Sequence, residues 1–489
     1  GPQASTALPD AGTPARTIRR MTQHNLMMTI AGRLADAAGR LDVRNPATDD
    51  KFAVVPDAGA VELEAAITAA RHALAGWSAT PWSQRAACVA QIGDTIASNA
   101  AELAAMLTRE QGKPTDQAMV EIMTAAHWLR STATLTLPDR ETVAMPGYRH
   151  VTRRVPVGVV AAIAPWNFPV ALSAFKIAPA LLAGNTMVLK PSPFTPMTVL
   201  RIGELVRDQI PAGVLNIITG GDALGPLMTA HPGFDKISFT GSSATGRRVM
   251  TAAASHLTRL TLELGGNDAA IVLPDAPVEE TAQKIFRSAF ANSGQICIAT
   301  KRAYVHDAIY DEFRDALARI IAQARVGDGS QPGITHGPIQ NRPQFERLQA
   351  LLADCEAAGH RLIRGEAPGG PGYFLPLTLV DNPPEASRIV QEEQFGPILP
   401  LLRFSDNDDV IARVNASELG LAGTIWSRDT DAALQLAERM ETGNVWINEA
   451  LALSPYAAFA GHKQSGMGVE NGVEGLMAYT EPKTYLIPA

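Results

Sequence analysis

Between Val157 and Gly266 the chain repeats one device: a short apolar run, a stretch with three-to-four apolar spacing, then another short run. "VGVVAAIAP", "NTMVLKP", "VLNIIT", "KISFTG" and "RLTLELGG" are the runs. "SAFKIAPALLAG", "PMTVLRIGELVRDQ", "ALGPLMTAHP" and "SATGRRVMTAAAS" separate them. Runs rich in Val, Ile and Leu predict strands buried on both faces, and intervening helices imply parallel crossovers. The expected fold class is α/β, a doubly wound sheet that takes its ligand beyond the carboxyl ends of its strands.

The flanks are organised differently. Residues Val61 to Leu137 read as helices, with "AELAAMLTREQGKP" stopping at Gly-Lys-Pro. "ETVAMPGYRHVTRRVPVG" predicts a hairpin turning at Pro146-Gly147. A second alternating region runs from about Gly265 to Val445, and "AYTEPKTYLI" near the C-terminus alternates like an edge strand. The chain opens Gly-Pro without Met, which reads as a processing or cloning scar, with a loosely ordered extension expected to about Gln23.

Composition narrows the function classes. A net charge of −7 gives no field for nucleic acid or anionic lipid, so neither is expected as a partner. No apolar run approaches the roughly 20 residues of a membrane helix. Three cysteines, Cys88, Cys297 and Cys355, are too few for a disulfide framework and suggest a reducing compartment, hence a cytoplasmic location. No metal-ligand cluster is expected.

Four clusters have chemistry available. Cys297 follows Asn-Ser-Gly-Gln in a loop after an expected helix over Lys284–Phe290. A buried structural thiol is the commoner fate of a cysteine, but Gly294 permits close backbone approach and the loop position suits a nucleophile. Glu263 ends a strand before two glycines: either a solvated strand end, or a desolvated base. Asn167, in "APWNFP", is either part of a rigid turn or an amide donor to an oxyanion. Gly241 and Gly246 in "SFTGSSATG" bracket a helix start whose N–H groups suit a phosphate, although G-x-G-x-x-G is absent.

In this order, and with "LKPS", "GVLN", "EEQFGP", "NVWIN" and "KQSGMG", these motifs resemble the aldehyde dehydrogenase superfamily over nearly the whole chain, from about Asn45 to Tyr485. The resemblance implies the hydrolytic, non-acylating type. Its fold would be a Rossmann-type cofactor domain over 24–137 and 156–264, and a catalytic α/β domain over 265–445. A small β oligomerisation element over 138–155 and 476–489 would pair across subunits, making a homodimer or homotetramer.

By the same resemblance Cys297 is the nucleophile, Glu263 the general base and Asn167 the oxyanion amide. Trp166, Lys190, Ser192, Gly241, Ser242, Glu393 and Phe395 would hold NAD or NADP, with the small polar residues before Cys297 leaving room around the thiol. NAD is slightly favoured. Many NAD-preferring members carry glutamate where this chain has Pro193, so NADP stays open. Other departures are Asn267, Ala458, Ala460 and Val469.

Substrate-lining positions implied by the resemblance are Leu172, Phe175, Ile296, Ile298, Leu453 and Phe459, all apolar. They predict an uncharged aromatic or medium-chain aliphatic aldehyde, with Glu449 nearby as a group that could meet a cationic or hydroxylated one. Two alternatives remain: a CoA-acylating semialdehyde dehydrogenase, against which Glu263 speaks, and a non-catalytic binding protein on the same fold.

Overall fold

The computed structural model describes residues 25–489, so the expectation for the first 23 residues lies outside the described part. Five parallel strands form the heart of the first sheet, in the order Leu215–Ile217, Thr186–Lys190, Val159–Ile163, Lys236–Thr240, Arg259–Glu263. The three central strands are buried at every residue; Val159–Ile163 is apolar throughout, while the other two enclose Thr186, Lys190, Lys236, Ser238 and Thr240 among their apolar residues. The order reverses between Val159–Ile163 and Lys236–Thr240, and a crevice opens beyond the carboxyl ends of strands that part in this way.

Antiparallel strands close the edges. Met28–Ile30 and Arg33–Ala35 cover one side, and the pair Gly39–Arg44 and Lys51–Asp57 follows them. Sequence periodicity did not mark any of these four. On the far side Gly466–Met467 pairs with Leu262 and Glu263, so the first sheet takes a strand from well beyond the expected cofactor segments.

The second sheet has seven strands, ordered Arg361–Arg364, Thr378–Asp381, Ile398–Phe404, Arg302–His306, Ala269–Val272, Ala422–Trp426, Asn444–Ile447. All pairings are parallel except that of the outermost Arg361–Arg364. Its last strand runs two residues past the expected boundary at 445.

The hairpin forms from Arg140–Met145 and Tyr148–Pro156. Thr480–Pro488 adds to it antiparallel over nine residues, Thr480 opposite Pro156 and Pro488 opposite Tyr148. The far edge of Thr480–Pro488 pairs with no other described strand.

Candidate active site

Helix Val278–Phe290 ends at a 3-10 turn over Ala291–Gly294, in which Asn292, Ser293 and Gly294 all have positive φ, of 51°, 55° and 77°. Three consecutive left-handed residues leave the backbone without a repeating hydrogen-bond pattern, and polar side chains supply the bonds instead. Gln295 donates Nε2 to the Asn292 carbonyl at 2.8 Å and accepts the Gln340 N–H at 3.0 Å. Ser293 Oγ donates to the Gly337 carbonyl at 2.7 Å. Asn292, Ser293 and Gln295 are buried, so they brace the loop and do not make room around the thiol, contrary to the sequence-based expectation. Gly294 is required for a separate reason: a Cβ there would overlap the carbonyl oxygen of Gly396, in the "EEQFGP" loop.

The loop delivers Cys297, half-buried, to a cleft of about 790 Å³. Trp166 and Asn167 line it from beyond one central strand, Leu172 from the helix Pro169–Leu182 that follows, and Gly241 and Ser242 from beyond the next strand; Glu393 and Phe395 complete the lining. This is the crevice at the strand-order reversal. Burial pushes the Cys297 thiol up to about 12; the Lys301 ammonium opposes this, and Asp268, Glu263 and Glu393 add to it.

Asn167 Nδ2 donates to the Gln295 carbonyl at 3.1 Å, which leaves its second N–H available. The Asn167 carbonyl accepts from Lys113 Nζ at 3.0 Å and Asn292 Nδ2 at 3.2 Å. Lys113 is paired with Glu121 at 2.5 Å, both side chains fully enclosed. Glu121 also accepts the N–H groups of Val170 and Ala171, capping the helix Pro169–Leu182 from outside. One ion pair thus pins the chain from Asn167 to Ala171. Sequence inspection passed over both residues, although the Gly-Lys-Pro stop marked the position of Lys113.

Glu263 is buried and neither carboxylate oxygen has a hydrogen-bond partner. Desolvation, with Glu470 adding and Lys176 opposing, holds its carboxyl well above the usual range. It ends its strand beside Thr240 and Gly466, next to the cleft but not in its lining.

Two further expected cofactor residues lie outside that lining. Lys190 ends the neighbouring strand, opposite Ile163, and burial lowers its ammonium to about 8. Ser192 Oγ accepts the Phe194 N–H at 3.2 Å. The cleft suits a dinucleotide in several respects. Ser242 caps the helix Ser243–Ala254, leaving N–H groups at its start, and a Cβ on Gly265 would overlap the Glu393 carboxylate. Phe395, at φ 54°, meets Trp166 edge to face, with centroids 5.5 Å apart. The buried Thr240 hydroxyl at this strand end has no protein partner.

Of the expected substrate residues, Leu172 alone lines the cleft. Ile296, Ile298 and Phe459 fall in one apolar cluster and Phe175 in another, and Phe168 and Leu453 pack against both. Trp128 stacks on Phe175 with centroids 4.3 Å apart, and Trp446 joins the first cluster. Phe168, Trp128 and Trp446 were not singled out in sequence. Glu449 is held below its usual range by the Ala450 N–H and then by Arg287 and Lys284; it pairs with Arg287 at 2.5 Å.

Fold and cleft define a class: a doubly wound α/β protein with a cysteine in the cleft at its strand-order reversal, the place where such folds take their ligand. Comparison with known proteins makes this specific. The sequence pattern described as "Aldehyde dehydrogenase family" matches residues 34–485, and the chain belongs to that family. A probable aldehyde dehydrogenase of a Pseudomonas species is 41% identical over 97% of each chain. The NADP-linked succinate-semialdehyde dehydrogenase of Escherichia coli K12 is 38% identical over 91% of this chain and 93% of its own. A phenylacetaldehyde dehydrogenase of Pseudomonas fluorescens is 37% identical over 94% and 95%. A solved putative aldehyde dehydrogenase from Burkholderia cenocepacia superposes with a TM-score of 0.93 at 35% identity, covering 95% of this chain and 98% of its own. The protein is therefore an NAD(P)-dependent enzyme acting on a small-molecule aldehyde. Among the described residues no helix is long and apolar enough to cross a membrane, and no cluster that could hold a metal ion is present.

Proposed function

We propose that the enzyme oxidises an uncharged hydrophobic aldehyde, aromatic or medium-chain aliphatic, to its carboxylic acid through a thiohemiacetal and a thioester on Cys297. The observation that carries this reading is the placement of Cys297 in the strand-reversal crevice, with apolar clusters behind it and Asn167 beside it.

The Cys297 thiol is protonated at rest, so its proton must leave as sulfur bonds to the carbonyl carbon. Glu263, held basic by burial, is the group suited to take it. The negative oxygen that forms is received by the free N–H of Asn167 and the Cys297 backbone N–H. The dinucleotide, when bound, supplies the two-electron acceptor for the aldehyde carbon. Glu263 gives that proton up to solvent and then draws one from water, whose oxygen attacks the thioester; the carbon–sulfur bond breaks, the acid leaves, and Glu263 returns the proton to the sulfur. Trp166, Lys190, Ser192, Gly241 and Ser242 hold the adenosine and phosphate portion in this reading. Glu393 and Phe395 hold the nicotinamide ribose and ring.

The aromatic and aliphatic walls favour an uncharged substrate. Lys113, the cation 3.7 Å over the Phe168 ring, is already taken by Glu121, and Arg287 by Glu449. The phenylacetaldehyde relative is named for such a substrate; the succinate-semialdehyde relative is named for an anionic one, for which the apolar clusters themselves contain no cation, Arg247 and Arg347 of the cleft lining being grouped with Ser242 and Glu393 on the coenzyme side in this reading. NAD is placed slightly ahead of NADP. We also assign the three-stranded sheet to subunit contact in a dimer or tetramer, since Met145, Tyr148 and Leu486 are exposed on it, and place the enzyme in the cytoplasm.

A steady-state screen of aldehydes with each coenzyme tests the substrate. Benzaldehyde-like or hexanal-like compounds are expected to lead, and a preference for succinic semialdehyde would overturn the pocket reading. Cys297→Ala should abolish aldehyde-dependent coenzyme reduction. Sedimentation velocity tests the subunit count.

A further inference from the structure

Lys301 begins its residues' return to the second sheet, and its side chain turns back into the active site. It is 2% exposed. Its Nζ lies 2.5 Å from the carbonyl oxygen of Cys297 and 3.2 Å from Glu393 Oε1, and 5.9 Å from the centre of the Phe395 ring. Its backbone is fixed on both sides: the N–H donates to the Asp268 carbonyl at 2.9 Å, and the carbonyl accepts Gln394 Nε2 at 2.9 Å. Four sequence positions separate it from Cys297, but 92 separate it from Glu393, so only the fold brings the three together.

We infer that Lys301 is a positioning residue of the reaction centre, bridging the nucleophile loop to the ribose-side carboxylate and supplying the positive charge that favours the thiolate of Cys297. The inference rests on the reading of Cys297 as nucleophile and Glu393 as a cofactor contact. Two physical facts support it. An ammonium buried between a carbonyl and a carboxylate makes charge-assisted bonds that are short and directional, which fixes both partners relative to one another. The thiol also faces three carboxylates, Asp268, Glu263 and Glu393, and Lys301 is the cation acting against them. Glu393 in turn accepts the Gly266 N–H at 3.1 Å, so the bridge reaches the glycine pair after Glu263. Loading the thiol and seating the coenzyme would then share one side chain.

The test measures the rate of iodoacetamide alkylation at pH 8, with Cys297 identified as the modified residue by mass spectrometry, and the Kd for NAD by fluorescence quenching. At a fixed pH below the thiol's midpoint, the alkylation rate follows the thiolate fraction, tenfold per pH unit of displacement. Lys301→Gln keeps a donor for the Cys297 carbonyl but removes the charge. It is expected to slow alkylation about tenfold or more and to weaken NAD binding about tenfold, the scale of one charged hydrogen bond. Lys301→Arg should restore both. Unchanged alkylation in Lys301→Gln, or an arginine variant as slow as the glutamine one, overturns the inference. Should Lys301→Gln fail to fold, Glu393→Gln serves: it removes an anion from the thiol's surroundings, so alkylation should speed up while NAD binding weakens. Slower or unchanged alkylation there also overturns it. Failure of the underlying reading looks different: Cys297→Ala would keep its turnover, or alkylation would fall equally on Cys88, Cys297 and Cys355.

Discussion

Lys176 Nζ lies 2.9 Å from Glu470 Oε1 in the interior, and this pair acts in opposite senses on Glu263: Glu470 raises its carboxyl and Lys176 lowers it. Lys176 also donates to Ser238 Oγ at 3.0 Å, which accepts the Tyr479 hydroxyl at the same distance. The base of the proposed mechanism is thus held against a charged pair, and neither of its oxygens has a hydrogen-bond partner.

Activity should rise with pH through the elevated titration of Glu263, because only the carboxylate accepts a proton. Glu263→Gln is expected to lower turnover by about 10²–10⁴-fold and to leave acyl-enzyme after one burst of reduced coenzyme. Lys176→Met removes the opposing cation and should move the acid limb of kcat to higher pH. Removing Glu470 as well, in Lys176→Met/Glu470→Leu, should bring it back. A limb unmoved by either change would separate this pair from the base.

The Lys113–Glu121 pair should show different effects on stability and on rate. Glu121→Gln leaves a buried ammonium unpaired and should cost about 3–5 kcal/mol by denaturant unfolding. The apolar double variant Lys113→Met/Glu121→Leu should recover most of that stability, since buried pairs are often replaceable. Its kcat should nevertheless stay about 100-fold low, because Asn167 loses the contact on its carbonyl and a small misplacement is expensive in rate. Full recovery of kcat would deny the pair any positioning role.

Gly294→Ala combines a positive φ with a collision against Gly396. Expected effects are a loss of about 1–3 kcal/mol in stability and a fall in kcat of at least about 100-fold, as the loop carrying Cys297 shifts. Turnover and thermal unfolding of the same preparation would check both.

His336 is 7% exposed, and desolvation lowers its imidazole to about 4. The unfolded chain binds this proton near pH 6.5, whereas the folded protein does not until near pH 4. The unfolded state therefore holds more protons in that window, and this residue's contribution to stability is lost as pH falls from about 6.5 to 4, by about 3 kcal/mol at most. Urea unfolding at several pH values should show a shallower dependence in His336→Gln.

Several features were readable before any coordinates. The five strands of the parallel core are legible because short runs rich in Val, Ile, Leu and Phe break off at turns, and Glu263, Asn167 and Gly241 stand at or just beyond the carboxyl ends of those runs. Cys297 was visible for its neighbours, but their purpose was misread: Asn292, Ser293 and Gln295 secure a left-handed loop. The strands Met28–Ile30, Arg33–Ala35, Gly39–Arg44 and Lys51–Asp57 escaped notice because short, partly exposed edge strands show little period.

Local patterning and motif order alone determined the fold class and the family and marked the candidate reactive residues, since each depends on contacts a few positions apart or on residue type. Tertiary structure decided which charges meet. Lys113 with Glu121, Lys176 with Glu470 and Lys301 with Glu393 are separated by 8, 294 and 92 positions, and no periodicity records such pairings. An isolated charge in a sequence reads as solvated surface; only when the chain closes around it does desolvation oblige it to find a partner, and that partner sets what the neighbouring catalytic groups can do.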